Sequence, residues 1–403
     1  MKVDLKMIQE AREFLKGKIS ETPIFTASRM GENVYIKMEN LQKTGSFKIR
    51  GAYNKMANLT EEQAKKGVIS CSAGNHAQGV ALSATQLGIK SYICIPSVAP
   101  LSKVDATRGY GGEVIIVDGT FDDAQAKAYE IQEERDLTYV APFDDPYVIA
   151  GQGTIGLEIL EQLPDVKYIV VPIGGGGLIS GISIAVKSLK PDVKIIGVEA
   201  ENAASMRASL DENKKVTLTS SNTMADGIAV KTPGDLTLEI VKEYVDEVVT
   251  VSEEEIQKTI LRLIEEGKTT AEGAGATSIA AILEEKYDFS DGKVCAVLSG
   301  GNINVNTVSR IIKNGLFETG RMTEVATVIP DKPGELIRFL NIVKDLGANI
   351  LTINQYSEAE EMDINSAVVR LVLETFNNDH KKQIYNALAE AGYRDAYVEN
   401  KIK

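Results

Sequence analysis

The chain has 403 residues, 43% of them hydrophobic and 25% charged, which is enough to build two or three domains with cores of their own. Its formal net charge of −13 excludes nucleic acid or an anionic membrane surface as the main partner. Cys71, Cys94 and Cys295 lie far apart beside apolar runs and only two histidines occur, so disulfide frameworks and histidine-cluster metal chemistry are excluded too, and a cytoplasmic enzyme is expected.

The start, M-K-V-D-L-K-M-I, has no apolar signal region, and no apolar run approaches membrane-spanning length. Leu5, Ile8, Phe14 and Leu15 recur at helical spacing until Thr22-Pro23 ends the pattern. Residues 34–38 alternate as a strand and lead to Q-K-T-G-S-F-K-I-R-G at 42–51, where small and hydroxylated residues place Lys48 near a helix start. Beyond it come a strand at 68–70, a turn at 72–79, a helix through 82–87, an apolar strand at 91–95, and a helix ending at Gly111-Gly112. A strand at 113–117 and a helix at 122–134 follow. The order repeats with a helix at 154–163, a strand at 168–173 running into four glycines, a helix at 178–189, a strand at 194–199, a helix at 253–266 and a strand at 294–298. Residues 200–245 are polar and broken, and read as loops with one or two short helices. Val- and Ile-rich strands separated by helices predict open parallel α/β sheets.

After Gly320 the style changes. Strands at 323–329, 350–357 and 366–374 alternate with helices at 335–346 and 379–391, and a last short strand falls at Tyr397-Val398. The order β-α-β-β-α-β fits a ferredoxin-like module behind a short linker at 317–322.

One lysine and three loops carry chemistry. A lysine desolvated beside a helix N-terminus is pushed toward the neutral amine that attacks carbonyls or removes protons, although most lysines are solvated surface charges. Gly174, Gly175, Gly176 and Gly177 stand between a strand and a helix, where bare backbone N–H groups converge on a phosphate; a tight turn is the plainer alternative. Ser72 to Gly79, S-A-G-N-H-A-Q-G, offers hydroxyl, amide and backbone donors suited to a carboxylate, or simply helix caps. Ser299-Gly300-Gly301-Asn302 closes the set, and all three lie where ligands collect in open α/β sheets, beyond the carboxyl ends of strands. A phosphate cradle, a reactive lysine, a carboxylate loop and a strand-end serine together suggest pyridoxal phosphate holding an amino acid.

K-T-G-S-F-K-I-R-G, S-A-G-N-H-A-Q-G, G-G-G-G-L and S-G-G-N, in this order over about residues 1–320, resemble the threonine dehydratase (threonine ammonia-lyase) family of fold-type II pyridoxal-phosphate enzymes. The tail from E-V-A-T-V-I-P-D-K-P-G-E-L resembles an ACT domain, a small amino-acid-sensing module. The resemblance implies a large α/β domain of residues 1–44 and 146–318, a small one of 45–145 carrying Lys48, and an ACT-like domain of 323–403. It implies that Lys48 forms a Schiff base with the cofactor, that Phe47 packs on the ring, and that Asn75 bonds the ring hydroxyl. Gly174 to Gly177 and Leu178 would hold the phosphate, Ser299 would meet the pyridine nitrogen, and Ser72 would take the substrate carboxylate. A neutral serine at the nitrogen favours prompt β-elimination over transamination. Lys48 would remove the α-proton, and the products from threonine would be 2-oxobutanoate and ammonia, from serine pyruvate and ammonia. The related serine racemases hold a cation with a glutamate, a carbonyl and an aspartate; Glu199 and Ala203 match, but Ser205 replaces the aspartate, so no metal is expected. Serine racemase or serine dehydratase is the alternative within the fold. The tail implies a homodimer or homotetramer and an effector, isoleucine or valine, at residues 331–336 and 347–349.

Overall fold

The computed structural model describes residues 2–356 and 364–393. They form two compact units, residues 1–303 and 304–403.

The first unit carries ten strands: β1 (Ile24–Thr26), β2 (Val34–Met38), β3 (Val68–Cys71), β4 (Ser91–Pro96), β5 (Glu113–Val117), β6 (Thr138–Tyr139), β7 (Val166–Pro172), β8 (Lys194–Ala200), β9 (Glu247–Val251) and β10 (Lys293–Leu298). They make a six-stranded sheet in the order β1-β2-β10-β7-β8-β9 and a four-stranded sheet in the order β5-β4-β3-β6. Every pairing is parallel except β1 with β2. Helices cover both faces, so central strands such as β4 are buried along their whole length, and a continuous apolar run replaces alternation. Each Ile or Val fully buried there contributes about 1.5–3 kcal/mol. Among the described residues no helix is long and apolar enough to cross a membrane, and the three cysteines are free and buried.

In the second unit β11 (Met322–Pro330), β12 (Asn349–Tyr356) and β13 (Ser366–Glu374) form an antiparallel sheet in the order β11-β13-β12. Along β13, Ala367, Val369, Leu371 and Leu373 are buried while Arg370 and Glu374 are exposed, the period of two that a one-sided sheet requires. The buried face packs on Phe339 and Val343 of the helix Glu335–Asp345 and on Ile384 and Leu388 of Asn378–Glu390. The β-α-β-β-α order expected of a ferredoxin-like module is present; the closing strand at Tyr397-Val398 and the end of the strand expected to reach Ser357 lie outside the described residues.

Several elements are additional to those expected. The helix Gly273–Leu283 is buried through Ile282, so it shows no polar face from which to read a helical period. β1 and β6 are too short to carry a pattern, and β9 is an edge strand of five residues. The helix Val305–Glu318 is a further addition. Within residues 200–245 the helices Ser205–Asp211 and Asp235–Tyr244 stand among loops and two 3₁₀ turns.

Candidate active site

The loops after β2, β3, β7 and β10 meet at the carboxyl ends of the two sheets. The helix Lys48–Ala57 begins at Lys48 itself, and its N-cap, Phe47, has no capping side chain. The turn is held instead by the strand-end loop: Phe47 N donates to Ser299 O at 3.1 Å, Gly301 N to Gly45 O at 2.9 Å, and Asn302 Nδ2 to Thr44 O at 2.8 Å. Gly45 sits at φ +70°, and a Cβ there would strike the Asn302 side chain. The Lys48 Nζ donates to Pro142 O at 2.8 Å. Burial lowers its pKa to about 8, with Glu272 pulling it back upward.

A buried charge network anchors the same helix from below. Arg50 donates to both oxygens of Glu39 at 2.8 Å each and to Glu158 at 2.5 and 3.0 Å, and Lys37 donates to Glu158 at 2.6 Å. Two cations and two carboxylates balance, which is what makes their full burial tolerable.

The four glycines are required by close packing. A Cβ on Gly174 would come within 2.9 Å of Ile228 Cα, one on Gly177 within 2.9 Å of Phe143 Cα, and one on Gly175 would collide with the Phe143 ring. Gly176, at φ +94°, is the N-cap of the helix Gly177–Leu189 and supplies no capping side chain. The uncapped amides of that first turn therefore face the cleft as anion donors, backed by the positive end of the helix dipole. A phosphate-bearing cofactor fits this arrangement.

Asn75 opens the helix Asn75–Leu87. Its Nδ2 donates to Glu272 Oε1 at 2.6 Å and its Oδ1 accepts from Asn302 Nδ2 at 2.7 Å, which fixes the amide's orientation. Ser72 Oγ accepts from Gly74 N at 3.2 Å within the same loop. His76 Nε2 donates to Val140 O at 2.9 Å; burial and the nearby Lys48 charge push its pKa down to about 3, so it is neutral.

A cleft of about 860 Å³ joins these groups. Phe47, Lys48, Ser72, Asn75, Gly174, Gly175, Gly176, Gly177, Leu178 and Ser299 all line it, so every residue singled out for this site comes to one place. The sequence reading missed Glu272, whose pKa burial and the Asp226 charge raise to about 7, and Pro142, Phe143 and Asp144: Pro142 O accepts from Lys48, Phe143 packs on Gly175 and Gly177, and Asp144 lines the same cleft. The signal for Glu272 was a lone carboxylate amid small residues, T-T-A-E-G-A-G-A-T. Lys103 and Asp226 pair across the mouth. Glu199 does not join the cleft: its oxygens accept Met206 N at 2.8 Å and Arg207 N at 2.7 Å, and its pKa rises to about 7 by burial. No group of three or more His, Cys, Asp or Glu among the described residues is placed to hold a metal ion.

The sequence model of the family described as "Pyridoxal-phosphate dependent enzyme" matches residues 15–300. The chain is 52% identical to an L-threonine ammonia-lyase of Thermotoga maritima over 395 residues, 97% of this chain and 98% of that one. Its structure resembles the processed form of threonine deaminase isoform 2 from Solanum lycopersicum (TM-score 0.73, 42% identity, 77% of this chain and 86% of that one). It also resembles maize serine racemase (TM-score 0.74, 36% identity, 79% and 99%).

Proposed function

The chain belongs to the pyridoxal-phosphate dependent enzyme family, and from that membership we propose how it works: it is an ammonia-lyase that converts L-threonine to 2-oxobutanoate and ammonia. The observation behind this reading is the single cleft in which a lysine with a lowered pKa faces a side-chain-free cradle at a helix N-terminus.

Lys48 would hold the cofactor's aldehyde carbon, the amides of Gly174 to Gly177 and Leu178 its phosphate, Phe47 a face of its ring, Asn75 the ring hydroxyl and Ser299 the ring nitrogen. When bound, the cofactor withdraws electrons from an amino acid's α-carbon and so acidifies its α-proton. The protein's own work is placement and proton transfer. The Ser72 loop, with free hydroxyl and backbone donors, binds the substrate carboxylate. Lys48 Nζ, neutral in a useful fraction of molecules near neutral pH, takes the α-proton. Ser299 would offer the ring nitrogen a hydroxyl rather than a charged carboxylate, which would favour loss of the β-hydroxyl over transamination. Apolar walls from Phe47, Phe143 and Leu178 limit water around the reacting atoms.

The lobe built on the four-stranded sheet and the lobe built on the six-stranded sheet act as separate domains flanking the cofactor. L-Serine is a second, poorer substrate. The 323–403 module is ACT-like, a reading its β-α-β-β-α order supports; by the same resemblance it binds isoleucine or valine and joins copies of the chain into a dimer or tetramer in the cytoplasm.

The test is 2-oxo acid release from L-threonine and from L-serine by the purified protein with pyridoxal phosphate, with and without isoleucine. Rapid 2-oxobutanoate formation slowed by isoleucine is expected. D-Serine without any 2-oxo acid would move the assignment to a racemase.

A further inference from the structure

From the cleft wall at Asp144 a hydrogen-bond chain runs behind the glycine cradle through Thr237, which does not line the cleft. The carboxylate of Asp144 accepts the N–H groups of Asp235 (3.1 Å), Leu236 (3.1 Å) and Thr237 (3.2 Å), the first turn of the helix Asp235–Tyr244. A carboxylate at that end of a helix satisfies orphan donors and opposes the dipole, so it fixes where the first turn sits. Gly234 precedes this turn, and a Cβ there would strike the Asp144 side chain, so the close approach depends on glycine. With the turn so placed, Thr237, fully buried and not lining the cleft, donates its hydroxyl to Gly175 O at 2.6 Å. The same hydroxyl lies 3.3 Å from Gly234 O, and the shorter contact takes the proton.

A trans peptide carries its C=O and N–H on opposite sides, and no cis peptide occurs among the described residues. Pinning Gly175 O toward Thr237 therefore turns the Gly176 N–H away from Thr237. Gly176 needs this help, because at φ +94° glycine is free to swing and no side chain caps the helix that follows. The Gly175 carbonyl belongs to no strand or helix ladder; it accepts from the Gly234 N–H at 3.4 Å and, far more closely, from the buried Thr237 hydroxyl at 2.6 Å, so the hydroxyl is the stronger hold on the orientation of that peptide.

We propose that Thr237, held by Asp144, is a positioning residue for phosphate recognition: by fixing the 175–176 peptide it aims the Gly176 N–H at the anion and gives the cleft its preference for a phosphorylated cofactor. The inference rests on the pyridoxal-phosphate reading above and adds a residue outside the cleft to it.

The experiment compares binding of pyridoxal 5'-phosphate and of unphosphorylated pyridoxal to the full-length apo-protein and its Thr237→Val and Thr237→Ser variants, by equilibrium dialysis. Thr237→Val is expected to weaken the phosphorylated ligand about tenfold, the factor expected from losing one well-formed hydrogen bond. Pyridoxal binding should stay within about twofold, and Thr237→Ser should restore the parent affinity for the phosphate form. Equal weakening of both ligands by Thr237→Val would overturn the proposal, since the hydroxyl would then only support the fold; so would an unchanged affinity for pyridoxal phosphate. If the valine variant does not fold, Thr237→Ala carries the same comparison. A parent protein that binds neither ligand would instead defeat the cofactor reading itself.

Discussion

Replacing Glu272 by glutamine removes the carboxylate that opposes the depressed pKa of Lys48 while keeping an oxygen to accept the Asn75 amide. With a pKa of about 8, Lys48 is neutral in about one molecule in ten at pH 7; at an ordinary 10.5 the fraction is roughly one in three thousand. Glu272 titrates at about 7, so above that pH it is ionised and raises Lys48. The other charges facing this pair are Asp226, which raises Glu272, and Lys103, which lowers it; His76 is neutral throughout. In Glu272→Gln the Lys48 pKa falls further, so cofactor uptake at pH 7 becomes faster, by at most about tenfold because the parent amine is already neutral in about one molecule in ten. The assay is the rate at which apo-protein takes up pyridoxal phosphate, followed by absorbance across neutral to alkaline pH. The parent rate should rise with pH and level off just above 8, and the variant's plateau should begin earlier. A parent rate still climbing well beyond pH 9 would show that burial does not depress the amine, and a variant plateau displaced to higher pH would show that Glu272 does not raise it.

Ser299→Asp puts a negative charge where the ring nitrogen is expected; 2-oxobutanoate release should fall at least about tenfold while transamination becomes detectable by loss of the cofactor's aldehyde absorbance. Glu158→Gln takes the carboxylate from Lys37 and leaves Arg50 with Glu39 alone, and should destabilise the protein by about 3–5 kcal/mol in urea unfolding, with weaker cofactor binding because Arg50 lies on the Lys48 helix. His76, with a pKa of about 3 when folded and an ordinary 6.5 when unfolded, binds its proton in the unfolded chain first, so its contribution to stability is lost as pH falls from 6.5 toward 3. Thermal unfolding of His76→Gln should therefore show a shallower acid limb than the parent.

The parts of the fold written in local pattern were legible. β7 and its four glycines, the strand before Lys48, and the alternating β13 follow directly from apolar runs, breakers and period. What escaped depends on distant partners. The helix Gly273–Leu283 is apolar all round because it lies between the six-stranded sheet and the helix Glu253–Glu265, and a wholly buried helix has no face to read. The helix Pro146–Gln162 begins earlier than its apolar spacing suggests because Asp145 caps it and Pro146 occupies its first turn. In the site, the glycine loop and Lys48 announce themselves by residue type. Glu272 and Asp144 do not, since a carboxylate acquires its meaning only from what folds beside it: Asn75, 197 residues away, for one, and the first turn of a helix about ninety residues on for the other.

Everything proposed for the cleft depends on Lys48 being the amine that holds the cofactor. Borohydride reduction of the protein loaded with pyridoxal phosphate, followed by digestion and mass spectrometry, tests this directly. A pyridoxyl group is expected on the peptide containing Lys48, and its loss together with 2-oxo acid release is expected in a folded Lys48→Ala variant. A label on Lys103, which also lines the cleft, or lyase activity surviving Lys48→Ala, would contradict it.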